Sequence, residues 1–276
     1  MYLVLDKDTI NKEIVPFIPV PKRGFRTKCD IAEIVNCILY KLKTGCQWHM
    51  LPVKSLFSNV VLHYKTVFGY FRTWCKSGVL QQIWFGLLNK YRASLDMSSV
   101  DLDGSHTPAL RGGEQVAYQG RKKRKTTNAL YLTDRQGIPL AISDPIEGNH
   151  NDLHQIKERF TDIIDSLNNS DIRVDGLFLN ADAGFDSAEF REFCSSHEII
   201  PNIAINWRNA AHTDDIFFDE LLYQQRYCIE RTNAWMDSFR SLLNRFDVTC
   251  SSWQSFNLIA FIVILLKKIT KQKKSR

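Results

Sequence analysis

Apolar residues recur at helical spacing along the first hundred positions. Ile31, Ile34, Val35, Ile38, Leu39 and Leu42 fall on one face of a helix that Asp30 is placed to cap and Thr44-Gly45 to end. A second set, Val60, Val61, Tyr64, Val67, Phe68 and Phe71, predicts a helix capped by Ser58. A third, Val79, Leu80, Ile83, Trp84, Leu87, Leu88 and Tyr91, follows Gly78. Residues 1–29, with Pro16, Pro19 and Pro21, read as irregular, and residues 46–52 as a tight connection carrying Trp48 and Leu51. Three short helices over residues 1–96 suit a small all-α, helix-turn-helix-like domain. The helix from Asn59 would then enter the major groove of DNA with Asn59, His63 and Lys65 off its apolar face. A plain three-helix bundle used for dimerisation is the other reading.

After residue 97 the pattern changes. Residues 98–103 read as a strand ending in Asp103, and residues 129–133 and 138–143 as a hairpin across Asp134-Arg135-Gln136-Gly137. The glycine-rich and basic residues 108–125 read as an exposed connection. The turn at 147–152 opens a helix to about Leu167, residues 176–181 form a buried strand that stops at Asp182, and a helix follows through Cys194. Residues 199–205 make a last strand, and 223–239 a last amphipathic helix. This succession, three strands and then helix, strand, helix, strand, helix, predicts an α/β fold over residues 97–276: a ribonuclease H-like mixed sheet flanked by helices. Residues 256–266 are apolar over about half the length a bilayer needs, so a buried core helix and no membrane is expected.

On the 223–239 helix, Cys228, Ile229, Trp235, Met236, Phe239, Leu242 and Leu243 share a core-facing arc, and Tyr223, Arg226, Glu230, Asn233 and Asp237 the opposite one. By itself that polar arc reads as a solvated face with an Arg226–Glu230 pair. Upstream, Asp103 before Gly-Ser reads singly as a turn former, and Asp182 before Ala-Gly as a helix cap. In a ribonuclease H-like sheet, however, the first and fourth strands are neighbours, so Asp103 and Asp182 would stand together with Glu230 reaching them. Converging carboxylates repel unless a cation joins them. Hard oxygen ligands select Mg²⁺ or Mn²⁺, and two such ions about 4 Å apart serve phosphoryl transfer.

Charge adds a partner. The chain carries +6 overall, and residues 1–100 hold 14 Lys and Arg against 6 Asp and Glu. Arg121-Lys122-Lys123-Arg124-Lys125 and the tail from Lys267 make two further basic clusters, a distribution that suits nucleic acid. The 44% hydrophobic content is that of a globular protein. The 7 cysteines form no CxxC, and Cys46-x-x-His49 has no second pair, which argues against structural zinc and for a reducing cytoplasm. The MYLVLDKDTI start lacks the features of a signal peptide.

Three blocks of sequence resemble the DDE transposases of bacterial insertion sequences, in the IS-five-like group. D-G-S-H-T resembles the block of the first catalytic aspartate (Asp103), L-N-A-D-A-G-F-D-S that of the second (Asp182), and R-Y-C-I-E-R-T-N-A-W-M-D-S-F-R that of the glutamate (Glu230). Y-x-x-R-x-x-x-E, from Tyr223 and Arg226 to Glu230, is the most specific signal, and KLKTGCQWHMLP with YFRTWCKSGVL resembles the family's helical front domain. The resemblance implies water attack at the element's ends to free a 3′-OH, then attack of that 3′-OH on target DNA. It implies two Mg²⁺ or Mn²⁺ ions, with Asp103 between them and Asp182 and Glu230 on either side. Tyr223 and Arg226 would orient Glu230 or touch phosphates, while Lys122, Lys123, Arg124 and the tail would hold the DNA backbone. It further implies double-stranded DNA as partner, a homodimer in the DNA complex and a nucleoid-associated, cytoplasmic setting. His150 and Asp152 match a family position, with Asp152 read as a helix cap. The chain departs from the family at Asp237, where a basic residue is usual and Arg240 is the nearest substitute, and at Phe185, where Tyr is usual. The other readings are a DNA-binding regulator or inactive copy, and a nuclease that cuts without joining.

Overall fold

The computed structural model describes residues 3–20, 27–207 and 217–274; the basic residues 22–26 and the last two of the basic tail lie outside it. Asp6 opens α1 (Lys7–Glu13), its carboxylate accepting from the Thr9 amide at 2.7 Å. A 3₁₀ turn, Val15–Phe17, follows with Pro16 near its start, where a missing N–H is harmless. The expectation of an irregular opening is corrected here: Ile10 and Ile14 are buried, and that burial makes the short helix worth forming. Asp30 caps α2 (Ile31–Thr44) through the Ala32 amide at 2.9 Å, and Gly45, at φ 68°, ends it in a left-handed turn. Asp30→Ala should therefore cost about 1 kcal/mol, read as a fall of about 2–4 °C in a circular-dichroism melt.

The second predicted helix starts late. After α3 (Val53–Leu56), α4 runs Tyr64–Lys76 with His63 as its cap, and residues 58–62 are a bent loop. Ser58 cannot cap a helix because its amide and hydroxyl both donate to Glu33 of α2, the amide at 3.2 Å. Val60 and Val61 stay 39% and 49% exposed, with no core to enter. Asn59, His63 and Lys65 are thus exposed but do not line one helix face, contrary to expectation. The His63 ring instead accepts from the Lys65 amide at 3.2 Å. α5 (Val79–Tyr91) follows Gly78 as its periodicity predicts.

The sheet comprises β1 (Val100–Pro108), β2 (Ala117–Gln119), β3 (Arg124–Asp134), β4 (Pro139–Ile142), β5 (Ile146–Glu147), β6 (Phe178–Ala181) and β7 (Ile200–Ile203). α6 (Ile156–Asn168) and α7 (Ala188–Ser196) come between strands, and α8 (Glu220–Tyr223), α9 (Tyr227–Asp237), α10 (Arg240–Leu243) and α11 (Cys250–Lys274) after them. The order β2-β3-β1-β6-β7, antiparallel from β2 to β1 and parallel from β1 to β7, is the ribonuclease H-like mixed sheet. β4 and β5 both pair with β3.

One strand differs from expectation in a way that matters. β1 does not stop at Asp103 but continues to Pro108, because the long β3 offers pairing partners as far as Pro108↔Thr126. α11 runs through the core: Phe256 stacks on Phe71 of α4 at 4.5 Å, and Trp84 of α5 lies 5.5 Å from Phe261. The core is therefore continuous across residues 96 and 97. At 25 residues α11 is longer than expected, and by length and composition it could cross a membrane, but 72% of its apolar window is buried inside the protein. All seven cysteines are free.

Candidate active site

Register places the two aspartates. Asp101 lies opposite Asn180 and Leu102 opposite Ala181 on the parallel strands β1 and β6. The next step along each strand is Asp103 and Asp182, level with one another where the strands part. Strand alternation puts Asp101 and Asp103 on one face of the sheet, with Asn180 and Asp182 beside them. Asp182 also caps the 3₁₀ turn Ala183–Phe185, its Oδ1 accepting from the Gly184 amide at 2.8 Å. The cap reading of Asp182 therefore holds, and the same residue stands level with Asp103. The turn-former reading of Asp103 is not, since β1 passes straight through it.

A buried ladder of amides underlies this face. Asn180 Nδ2 donates to Asp101 Oδ1 at 3.0 Å, Asn202 Nδ2 donates to Asn180 Oδ1 at 2.8 Å, and the Asp219 amide donates to Asn202 Oδ1 at 2.7 Å. Asp101, Asn180 and Asn202 are essentially inaccessible, so an unpaired member would be costly. The ladder ties the start of α8 to the strands that carry the aspartates. Sequence reading passed over it, although asparagines inside otherwise apolar strands were the available signal.

The predicted 223–239 helix is made of α8, a 3₁₀ turn at Gln224–Arg226, and α9. Arg226, at the last junction, does not pair with Glu230 as the solvated-face reading supposed. Its Nη2 lies 3.0 Å from Asp103 Oδ1 and 4.0 Å from Asp182 Oδ2. Asn233 Nδ2 donates to the other Asp103 oxygen at 2.9 Å, a role that its place on the polar arc did not disclose. Glu230 lies on the helix between these two residues, is solvent-exposed, and is close enough to raise the Asp103 pKa. Burial pushes the Asp103 carboxyl up to about 6; Arg226 and Asn233 oppose the shift, and Glu230 and Asp182 add to it. Burial also raises the Tyr223 phenol, with Arg226 acting against it and both aspartates with it. One arc of the helix packs in the core while the other overlooks the carboxylates.

The β3–β4 turn sets where α9 sits. Thr232 Oγ1 donates to the Gly137 carbonyl at 2.5 Å and Arg231 Nη2 to the Gln136 carbonyl at 2.7 Å. Gly137 is at φ 77°, and a Cβ there would meet the Cys228 carbonyl at 2.9 Å.

Asp152 is not a helix cap. It precedes α6 by four residues, and its Oδ1 accepts from Asn128 Nδ2 at 2.9 Å and faces His106 Nε2 at 3.8 Å. It presses on Gly104, the residue after Asp103. His150 stacks on His154 at 3.6 Å. Lys122, Lys123 and Arg124 stand exposed on the turn that begins β3, with Lys122 Nζ donating to the His106 carbonyl at 3.3 Å. Lys122 is also the cation opposite Asp237, which burial pushes upward. Arg240 opens α10 against Gly45, and Phe185 is wholly buried. The structure thus brings Asp103, Asp182, Tyr223, Arg226 and Glu230 together. Asn59, His63 and Lys65 share no hydrogen bond or ion pair with them among the described residues.

Among the described residues no three His, Cys, Asp or Glu side chains are already gathered at metal-binding spacing. The donor chemistry nonetheless fits a hard divalent ion: the acids supply only oxygen, and burial with like charge leaves Asp103 short of positive charge.

A family described as the transposase DDE domain matches residues 94–265, and one described as a transposase of the IS4/5 family matches residues 8–84. Among solved structures, the chain is similar to the pre-cleavage Mos1 transpososome at 11% identity and TM-score 0.30, over 90% of this chain and 82% of that one. It is similar to the Mos1 transposase paired-end complex with left transposon end at 11% identity and TM-score 0.29, over 89% and 80%. No curated protein matches.

Proposed function

This chain belongs to the transposase DDE-domain family, and from that premise we propose that it binds the terminal inverted repeats of an insertion element and catalyses cleavage and transfer of DNA strands. The observation that supports this reading best is the level placement of Asp103 and Asp182 on neighbouring parallel strands, with the Glu230 helix across them. Asp103, Asp182 and Glu230 would hold divalent ions, two Mg²⁺ or Mn²⁺ in our reading. When bound, these supply activation of the attacking oxygen and neutralisation of the leaving one. The protein's own part is positional: the amide ladder, Asn233 and the Gly137 turn keep the acids and the helix in register. Tyr223 and Arg226 would meet the phosphate beside the scissile bond. Lys122, Lys123 and Arg124 would hold backbone further out, and Asn59, His63 and Lys65 would face DNA from the loop and first turn of α4. A homodimer would bring two ends together and join them to target DNA, in the nucleoid of the cytoplasm.

The test uses purified protein and a labelled duplex that ends in the element's own terminus. With Mg²⁺ or Mn²⁺ a nick at the terminus and, with target DNA, a joined product are expected; with EDTA both should vanish while binding persists. Binding without cutting under every condition would instead support a regulator or an inactive copy, and cutting without joining a plain nuclease.

A further inference from the structure

Building on the reading of Asp103, Asp182 and Glu230 as a metal site, we propose that Arg226 is the site's own cation in the metal-free protein. A divalent ion and the Arg226 guanidinium then exclude one another, so that metal binding hands Arg226 to a DNA phosphate. The hydrogen bonds around the acids point to this exchange. Asp103 Oδ2 is taken by Asn233 at 2.9 Å, and Asp182 Oδ1 by the Gly184 amide at 2.8 Å. The two remaining oxygens, Asp103 Oδ1 and Asp182 Oδ2, are the ones Arg226 faces, at 3.0 and 4.0 Å. They are the oxygens left free by those two hydrogen bonds, and an ion shared by the two aspartates would fall on them first.

The Arg226 side chain is only 13% exposed, so its charge and a divalent ion would repel with little screening by water. Nor is Arg226 fully satisfied where it lies. Its buried Nε has no hydrogen-bond partner among the described residues, and its Nη2 reaches the Leu102 carbonyl at only 3.5 Å. A guanidinium is a planar fork that suits a phosphate through two parallel bonds, and here one nitrogen does most of the bonding. Arg226 also sits where the 3₁₀ turn meets α9, so its side chain can swing without moving the helix face that carries Glu230. The exchange keeps positive charge on the acids before metal arrives. It also makes a phosphate-ready Arg226 a property of the metal-loaded form.

Mn²⁺ binding followed by electron paramagnetic resonance, without DNA, tests this. Arg226→Gln should bind Mn²⁺ about tenfold more tightly than wild type, Arg226→Lys should stay near wild type, and Asp103→Asn should bind poorly. In wild type itself, the Arg226 Nε–H resonance should move in step with Mg²⁺ occupancy, a readout that does not depend on any variant folding. An Arg226→Gln affinity equal to or weaker than wild type, or an Nε–H signal indifferent to saturating Mg²⁺, would overturn the exchange and leave the metal site standing. No saturable Mn²⁺ binding by either protein would sink the metal site and the exchange with it.

Discussion

Asp103→Asn is expected to abolish metal-dependent cleavage and, in the same protein, to raise the melting temperature at pH 7 in EDTA. Cleavage should fall by at least about 10³-fold, because a neutral amide replaces an anionic oxygen ligand and holds a hard divalent ion far more weakly. The stability gain follows from burial. In the fold the Asp103 carboxyl keeps its proton up to about pH 6, while in the unfolded chain it loses it near the ordinary aspartate value of 3.8. The folded form therefore binds more protons between those values. The stability this group contributes is present below the unfolded pKa and is lost as pH rises through about 6. Arg226 already counts in that balance and does not reverse it. Asparagine mimics the protonated acid, so at pH 7 the variant should gain on the order of 1–2 kcal/mol, or roughly 2–8 °C. The gap between variant and wild type should narrow as pH falls from 7 to 5. Asp101 and Asp134, also pushed up to about 6 by burial, are common to both proteins and drop out of the difference. Cleavage within tenfold of wild type would remove Asp103 from the active site. A lower melting temperature would show that its charge is better compensated in the fold than burial suggests.

Gly104→Ala is expected to cost about 1–3 kcal/mol and to slow cleavage roughly 10²-fold, although the substitution adds one methyl group. A Cβ at Gly104 would lie 2.0 Å from Asp152 Oδ1 and 2.3 Å from its Cγ. Asp152 has little room to retreat. Its carboxylate holds Asn128 Nδ2 at 2.9 Å, its backbone carbonyl accepts from Arg159 at 3.2 Å, and Arg159 in turn donates to the Asn128 side-chain Oδ1 at 3.1 Å. The strand gives way instead, and the residue before Gly104 on that strand is Asp103. Thermal melts and single-turnover cleavage of Gly104→Ala, Asp152→Ala and the double variant test this as a cycle. The double variant should recover part of what Gly104→Ala loses, with a coupling of at least about 0.5 kcal/mol. Strict additivity, or a Gly104→Ala protein that melts and cuts like wild type, would show that the contact is soft.

Local signals in the sequence determined a good deal. The Asp30 cap, the Gly45 stop and the 3.6-residue period define α2, and the alternation of apolar strands and helices yields the mixed sheet. Neighbouring first and fourth strands then imply that Asp103 and Asp182 meet. The helix signals lie in residues a turn apart, where propensity and spacing act directly, while the meeting of Asp103 and Asp182 follows from the order of the strands.

Tertiary structure decided the rest. Ser58 was free to cap a helix until Glu33, 25 positions away, claimed its donors. β1 runs past Asp103 because β3 extends as far beside it. Asp152 serves Asn128 rather than α6, and Arg226 found Asp103, 123 positions back, rather than Glu230 one turn on. At Ser58, Asp152 and Arg226 a polar side chain had a local role within reach and took a distant partner instead. Spacing along the chain shows which residues share a face. It does not show whether that face meets water or another carboxylate, because both look equally polar until the sheet is folded beneath them.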